Sequence, residues 1–521
     1  MAKSLHFQTM MTIFVFLTIV NYTIASVSLE IFRLMQFSEK SENYGSQQTS
    51  LNMIASHING DILRKLIFAN YDELVLDYLR TILIKKINGL LIILPKDISF
   101  VSPKWLQLQT LLTNTSINLP VYFTYESKIS DDIHSMLQIQ AKVSGSMPKT
   151  FIQRMLFQFS GYEEYQISMS VEDSKPVHSL ILNTYYKHLK ADSNTELGDK
   201  KMIVLTAYLD VLTIIPELSN GINSNGSGFI ALLEIYKLLS KFIKNLKSII
   251  SRDILFIITT SSSLDFGGLI TLLEGESIAK NIDFALCLDS IGTSKNLNLI
   301  FPKQTEEDSA FERKVLNVIN NVSTETGLNI QINRENTGDS SSFEHEVFIK
   351  KSILSASLTE KPKTARMNFT KFSIDDKKLN LEELENNIKA ICDIVGNLIT
   401  DSSVPKYSLF SSMKDILDTK LMDNIISYMN KNPRFPTSLN KGTKTMKDFE
   451  QLMNETMDGI SIKEYKETRK LFYTNPPTKA LIYKQKSKLY DLVQLIGIIS
   501  YLIILFYQLQ RCIAIDKIKT S

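Results

Sequence analysis

The sequence predicts an α/β protein with a mostly parallel sheet covered on both faces. Two observations carry this. From Asp199 to Asp401 short apolar runs alternate with amphipathic stretches, the pattern of strands joined by crossover helices. Ahead of that region, "GLLIILP" (Gly89 to Pro95) and "LPVYFTYE" (Leu119 to Glu126) are apolar over strand length, as strands buried on both faces are.

Taken in order, residues 26–191 form an amino-terminal α/β region. In it "LNMIASHINGDILRKLIFANYDELVLDYLRTI" has helical apolar spacing, and the two runs above read as strands. Residues 192–401 are the clearer part. "KMIVLTAYLD" is a buried strand, "SGFIALLEIYKLLSKFIKNL" a helix, "RDILFIITT" a strand, "GGLITLLEGESIAKNI" a helix and "DFALCLDSIG" a strand. Then come "AFERKVLNVINNVSTETG" as helix, "KSILSASLT" as strand and "NLEELENNIKAICDIVGNLITD" as the closing helix. Residues 402–488 turn polar, with breaks at Pro433, Pro436, Pro476 and Pro477, and are expected to be a helical juxtamembrane stalk.

The two ends carry targeting signals. Residues 1–25 read as a signal peptide: Lys3 in a short polar start, an apolar run from Met10 to Val20, and small residues up to Ala25. Residues 489–509 read as a transmembrane helix whose central part, Leu495 to Tyr507, has no charge. Lysines 484, 486 and 488 before it nearly match Arg511, Lys517 and Lys519 after it. The signal peptide therefore sets the orientation, with a lumenal body and a cytosolic tail at 510–521. Asp491 and Gln494 lie in the first turn of the span, as a partner-facing surface or in the headgroup layer.

Composition excludes several classes. Lys+Arg 58 against Asp+Glu 55 gives a net charge of +3, too balanced for nucleic-acid binding by bulk electrostatics. With 3 cysteines the chain is no disulfide scaffold. Five sequons suit a lumenal body: Asn114, Asn225, Asn321, Asn368 and Asn454. Asn225 is the poorest candidate, because its turn should fold against the start of the following helix.

In open α/β sheets ligands sit at the carboxyl ends of the strands. Those ends deliver Tyr208 and Asp210, then Asn223 and Ser224, the hydroxyls Ser261 to Ser263, Asp289, and Ser357 and Thr359. Only Asp210 and Asp289 are well placed as metal ligands, and two carboxylates do not hold two zinc ions. There is no nucleophile elbow, P-loop or H-E-x-x-H. His345, between Glu344 and Glu346, reads as a pH switch or as a histidine that orients a loop. The turn "NSNGSG" reads as a tight connection, with Ser224 or Asn223 capping the helix behind it.

The order of these segments, with "SNGSG" opening a helix, "CLD" ending a strand, "FEHEVF" before the last strand and "FYTNPPTKALIYKQKSKLYDL" near the end, resembles the nicalin family. These are nicastrin-like membrane proteins on the three-layer fold of the zinc aminopeptidases. The resemblance implies a degenerate zinc site. Tyr208 stands where the peptidases have a metal-binding His, with Asp210 kept as the orienting acid. Asn223 stands for the bridging Asp, Ser262 and Ser263 for the Glu pair, and Thr359 for the last His, while Asp289 survives. It therefore implies a pseudoenzyme with no catalytic residue, metal or cofactor. It further implies a single-pass type I protein of the endoplasmic reticulum membrane, partnered by a Nodal modulator-like protein and a small multi-spanning membrane protein. These would act with the translocon and ribosome-associated machinery that inserts multi-pass proteins, and the family's link to Nodal signalling goes with them. The alternatives are a nicastrin-like substrate receptor of a protease complex and a membrane-bound metallopeptidase.

Overall fold

The structure, a computed structural model, describes residues 26–84, 87–96, 102–145, 165–169, 174–190, 200–245, 250–275, 277–303, 310–336, 341–360, 374, 376–400, 409–414, 416–475, 478–484, 495–507 and 510. In chain order the strands are β1 (Ser26–Arg33), β2 (Gln36–Glu39), β3 (Glu42–Ser46), β4 (Leu51–His57), β5 (Leu66–Asn70), β6 (Gly89–Leu94), β7 (Ser116–Ile117), β8 (Val121–Tyr125) and β9 (Tyr165–Met169). There follow β10 (Leu180–Leu189), β11 (Met202–Tyr208), β12 (Asp253–Thr259), β13 (Ile282–Leu288), β14 (Asn296–Pro302), β15 (Asn329–Glu335) and β16 (Ser355–Thr359). The last three are β17 (Ser461–Glu467), β18 (Lys470–Phe472) and β19 (Thr478–Lys484).

Two large sheets organise the chain. One closes on itself in the order β1-β19-β9-β4-β5-β6-β8, and the other has eight strands in the order β15-β14-β16-β13-β11-β12-β10-β17. The apolar runs explain the centre of each. In β6, Leu90, Ile92 and Leu94 join one hydrophobic cluster while Leu91 and Ile93 join another on the opposite face. In β11, Ile203 and Leu205 face the largest cluster, and Met202 and Val204 the one on the other side. A strand with a period of two and a core on each side must be apolar at every position.

The sheets are mixed, not mostly parallel. In the eight-stranded sheet β11 pairs in parallel with β12 and β13, and β13 with β16. Yet β10 runs antiparallel to both β12 and β17, and β14 antiparallel to β16. The expectation failed at the outer strands, where one face is wet and the apolar run is broken. β17, "SIKEYKE", alternates exposed and part-buried residues, which is how an edge strand guards itself with charge.

The helical stalk expected over 402–488 is corrected for the same reason. That segment does supply the helices Thr419–Lys431 and Lys444–Thr456. It then returns as β17 in the eight-stranded sheet, β18 beside β2, and β19 between β1 and β9. Residues 51–82 also differ from their helical reading: they fold as β4, β5 and only one helix, Leu76–Ile84. Their apolar residues are shared between two faces of a sheet.

The single-pass type I membrane reading is overturned. Among the described residues no helix is long and apolar enough to cross a membrane. Of the segment 489–509, residues 495–507 are described, and they are helical. Asp491, Gln494, the signal peptide 1–25 and Asn368 lie outside the described residues.

Candidate functional site

The strand ends of the eight-stranded sheet bring most of the singled-out residues together. Tyr208 closes β11, and Asp210 follows it in a fully buried loop. The Asp210 carboxylate accepts four hydrogen bonds. Its Oδ1 takes the Ser262 amide at 2.9 Å and the Ser262 hydroxyl at 2.8 Å. Its Oδ2 takes the Ser263 amide at 2.7 Å and the Ser263 hydroxyl. A carboxylate has about four lone-pair positions, so this group is saturated by its own protein.

Asp289, just past β13, is held by the other pair. The Tyr208 hydroxyl donates to Oδ1, and the Thr359 hydroxyl donates to Oδ2 at 3.1 Å. Burial, and then the Asp289 charge, push the Tyr208 phenol far above its ordinary pKa, so the phenol keeps its proton and donates it. The family resemblance implies a pair of zinc ions at these positions. The residues do not fit that pair: a phenol and two hydroxyls stand at ligand positions, and both carboxylates are engaged by neighbouring donors.

Asn223 lies in a separate cluster beside these. Its Oδ1 accepts from the Gly292 amide at 2.8 Å, and its Nδ2 donates to Glu360 Oε2 at 2.9 Å. Glu360 also accepts from the amides of Thr293 at 2.6 Å and Ser294 at 2.9 Å. The side chain that caps the turn is neither Ser224 nor Asn223. Asp376 does so from far along the chain, its Oδ2 accepting from the Asn223 and Ser224 amides at 3.1 and 2.7 Å. Gly228 explains the glycine-rich helix start. A Cβ there would stand 2.5 Å from the Leu288 carbonyl oxygen and 2.7 Å from that of Asp289, so only glycine lets the helix Ser227–Asn245 meet the end of β13.

Arg434 was not legible as part of this region. It is fully buried and donates to the carbonyls of Leu209 at 2.8 Å, Asn220 at 2.7 Å and Gly221 at 2.6 Å, and to Asn225 Oδ1 at 2.9 Å. Burial lowers its pKa to about 10, which leaves it cationic at neutral pH. One buried cation thus ties three segments of the site to the carboxy-terminal helices. Its only sequence signal was a charged residue inside "NPRFP", Asn432 to Pro436. Asn225 is fully buried and gives its Nδ2 to the Asp210 carbonyl at 2.7 Å. Asn114, Asn321 and Asn454 are exposed. His345 is buried with Nδ1 at 2.8 Å from the Ser357 hydroxyl. Beside it Glu344 Oε1 accepts from Thr206 at 2.8 Å.

The Nicastrin large lobe model matches residues 201–394, from β11 to the closing helix. The zebrafish protein named BOS complex subunit ncln is 21% identical over 94% of this chain and 91% of its own. The human BOS complex subunit NCLN is 22% identical over 92% and 88%. Nicalin of Caenorhabditis elegans is 22% identical over 79% and 77%. The chain is a relative of nicalin. Among solved structures, a zinc aminopeptidase from Bacillus subtilis aligns over 74% of this chain and 87% of its own, with TM-score 0.34 and 14% identity. An aminopeptidase from an Aneurinibacillus strain aligns over 76% and 88%, with TM-score 0.30 and 14% identity.

Proposed function

We propose that this chain is a non-catalytic subunit of a multi-protein complex of the kind its relatives are named for, the BOS complex. The observation that carries the non-catalytic part is the saturated Asp210 carboxylate, whose four donors come from two serines where a peptidase would carry acids. Such a loop is built to hold still. Tyr208, Asp289 and Thr359 form a second self-satisfied unit, so the degenerate site works as the packed keystone of a scaffold. The finer reading, resting on the family resemblance, adds a Nodal modulator-like protein and a small multi-spanning membrane protein as partners. On that reading the complex serves the translocon and ribosome-associated machinery during insertion of multi-pass proteins, and touches Nodal signalling.

The test is affinity purification of the tagged full chain from its own cells under mild detergent. Recovery of the two partners with ribosome-bound insertion machinery is the expected result. Recovery of an intramembrane protease in their place would overturn the scaffold reading in favour of a substrate receptor. A peptidase activity of the pure chain that disappears in Asp289→Ala would overturn the non-catalytic reading.

A further inference from the structure

The barrel-like sheet carries a cluster of metal-ligating side chains remote in sequence from the strand-end residues. His57 ends β4, Glu73 lies in the loop after β5, and His134 sits on the helix Lys128–Gly145. His57 Nε2 is 3.2 Å from Glu73 Oε2, and His134 Nε2 is 3.3 Å from the same oxygen. One ligand atom from each of the three lies within 4.8 Å of the others. A tetrahedral zinc site with bonds of about 2.0 to 2.1 Å has ligand atoms about 3.3 to 3.4 Å apart. Both measured edges match that spacing to within about 0.2 Å, the tolerance for a metal site.

A second observation points the same way. The His134 side chain is about nine-tenths buried, and its Nε2 makes no hydrogen bond although it is shielded from water and aimed at Glu73. A buried imidazole nitrogen held 3.3 Å from a carboxylate oxygen without a hydrogen bond between them is an arrangement that a shared ion would explain. His57 is buried as well. Glu73 is the exposed member, 37% open at its side chain, and it gives an ion a way in and leaves room for a water as fourth ligand.

We propose that His57, Glu73 and His134 form a binding site for a divalent transition metal, with zinc the best match to two imidazoles and one carboxylate. In the metal-free chain the Asn59 amide donates to His57 Nδ1 at 3.1 Å, which keeps the ring proton on Nε2, facing Glu73. Ligation through Nε2 requires the ring proton on Nδ1 instead, so loading must displace this Asn59 contact. The metal then joins the helix Lys128–Gly145 to the end of β4 and to the loop behind β5, as a structural clamp on this sheet.

The full chain, stripped with chelator and titrated with Co(II), tests the site. One equivalent bound with a tetrahedral ligand-field spectrum, displaced by Zn(II), is expected. Glu73→Gln and His134→Asn should each weaken binding at least tenfold, and Asp289→Ala should leave it unchanged. Glu73 is exposed, so its variant keeps the test decisive if the buried histidine variant fails to fold, as checked by circular dichroism. Absence of stoichiometric binding by the folded parent, or binding unaltered in Glu73→Gln, overturns the proposal. Loss in Asp289→Ala with retention in Glu73→Gln would move the metal to the strand ends, and would then count against the non-catalytic reading too.

Discussion

Asp210→Asn is the sharpest probe of the strand-end loops, because it changes charge and hydrogen bonding at nearly constant volume. The carboxylate accepts from two backbone amides and two hydroxyls. The hydroxyls can rotate to suit an amide, but the backbone donors cannot. Whichever way the new side chain is turned, its NH2 faces the backbone N–H of either Ser262 or Ser263, both at buried positions. An unpaired buried donor costs about 1 to 3 kcal/mol, and the remaining bonds lose charge assistance worth roughly 1 kcal/mol each. Relief from burying a charge offsets part of this, leaving a net loss of roughly 3 to 5 kcal/mol. Against a total stability of about 5 to 15 kcal/mol, the variant should unfold at clearly lower urea, read by near-ultraviolet circular dichroism. A loss below about 1 kcal/mol would refute the idea that this carboxylate is a structural hub.

Other outcomes follow from single contacts. Gly228→Ala puts a Cβ 2.5 and 2.7 Å from two carbonyl oxygens of fixed backbone. The helix must back away from β13, at roughly 2 to 3 kcal/mol in chemical denaturation. Glu217 is pushed up to about 7, first by burial, with Arg33 and an Asn475 hydrogen bond opposing. Its folded pKa lies above its unfolded one, so the stability it contributes is full below the ordinary carboxyl range and is lost as pH rises through about 7. Glu217→Gln should flatten that fall and raise the melting temperature at about pH 8. In chain made through a secretory route, glycan is expected on exposed Asn114, Asn321 and Asn454 and not on fully buried Asn225. Glycopeptide mass spectrometry reads this directly, and sugar on Asn225 would mean that the turn is open.

The chain's own residues determined the central strands and their helices. Runs such as "KMIVLTAYLD" and "RDILFIITT" have apolar centres with no in-out alternation because a core lies on each side, and that demand is visible in one dimension. Tyr208, Asn223 and Thr359 are likewise plain in the sequence as neither imidazole nor carboxylate. The edges were illegible for the converse reason. A strand such as β17 is defined by pairing with β10, and its Lys and Glu residues carry no sign of a partner nearly three hundred positions away.

Only the tertiary structure decided what the strand-end residues do. Asp376 caps a turn about 150 residues before it, and Arg434 binds the carbonyls of Leu209, Asn220 and Gly221. Likewise His57, Glu73 and His134, unremarkable apart, meet on one oxygen. Hydrogen bonds and ligand geometry are three-dimensional conditions between groups remote in sequence. Local periodicity records burial, but it leaves no trace of which polar groups burial will bring face to face.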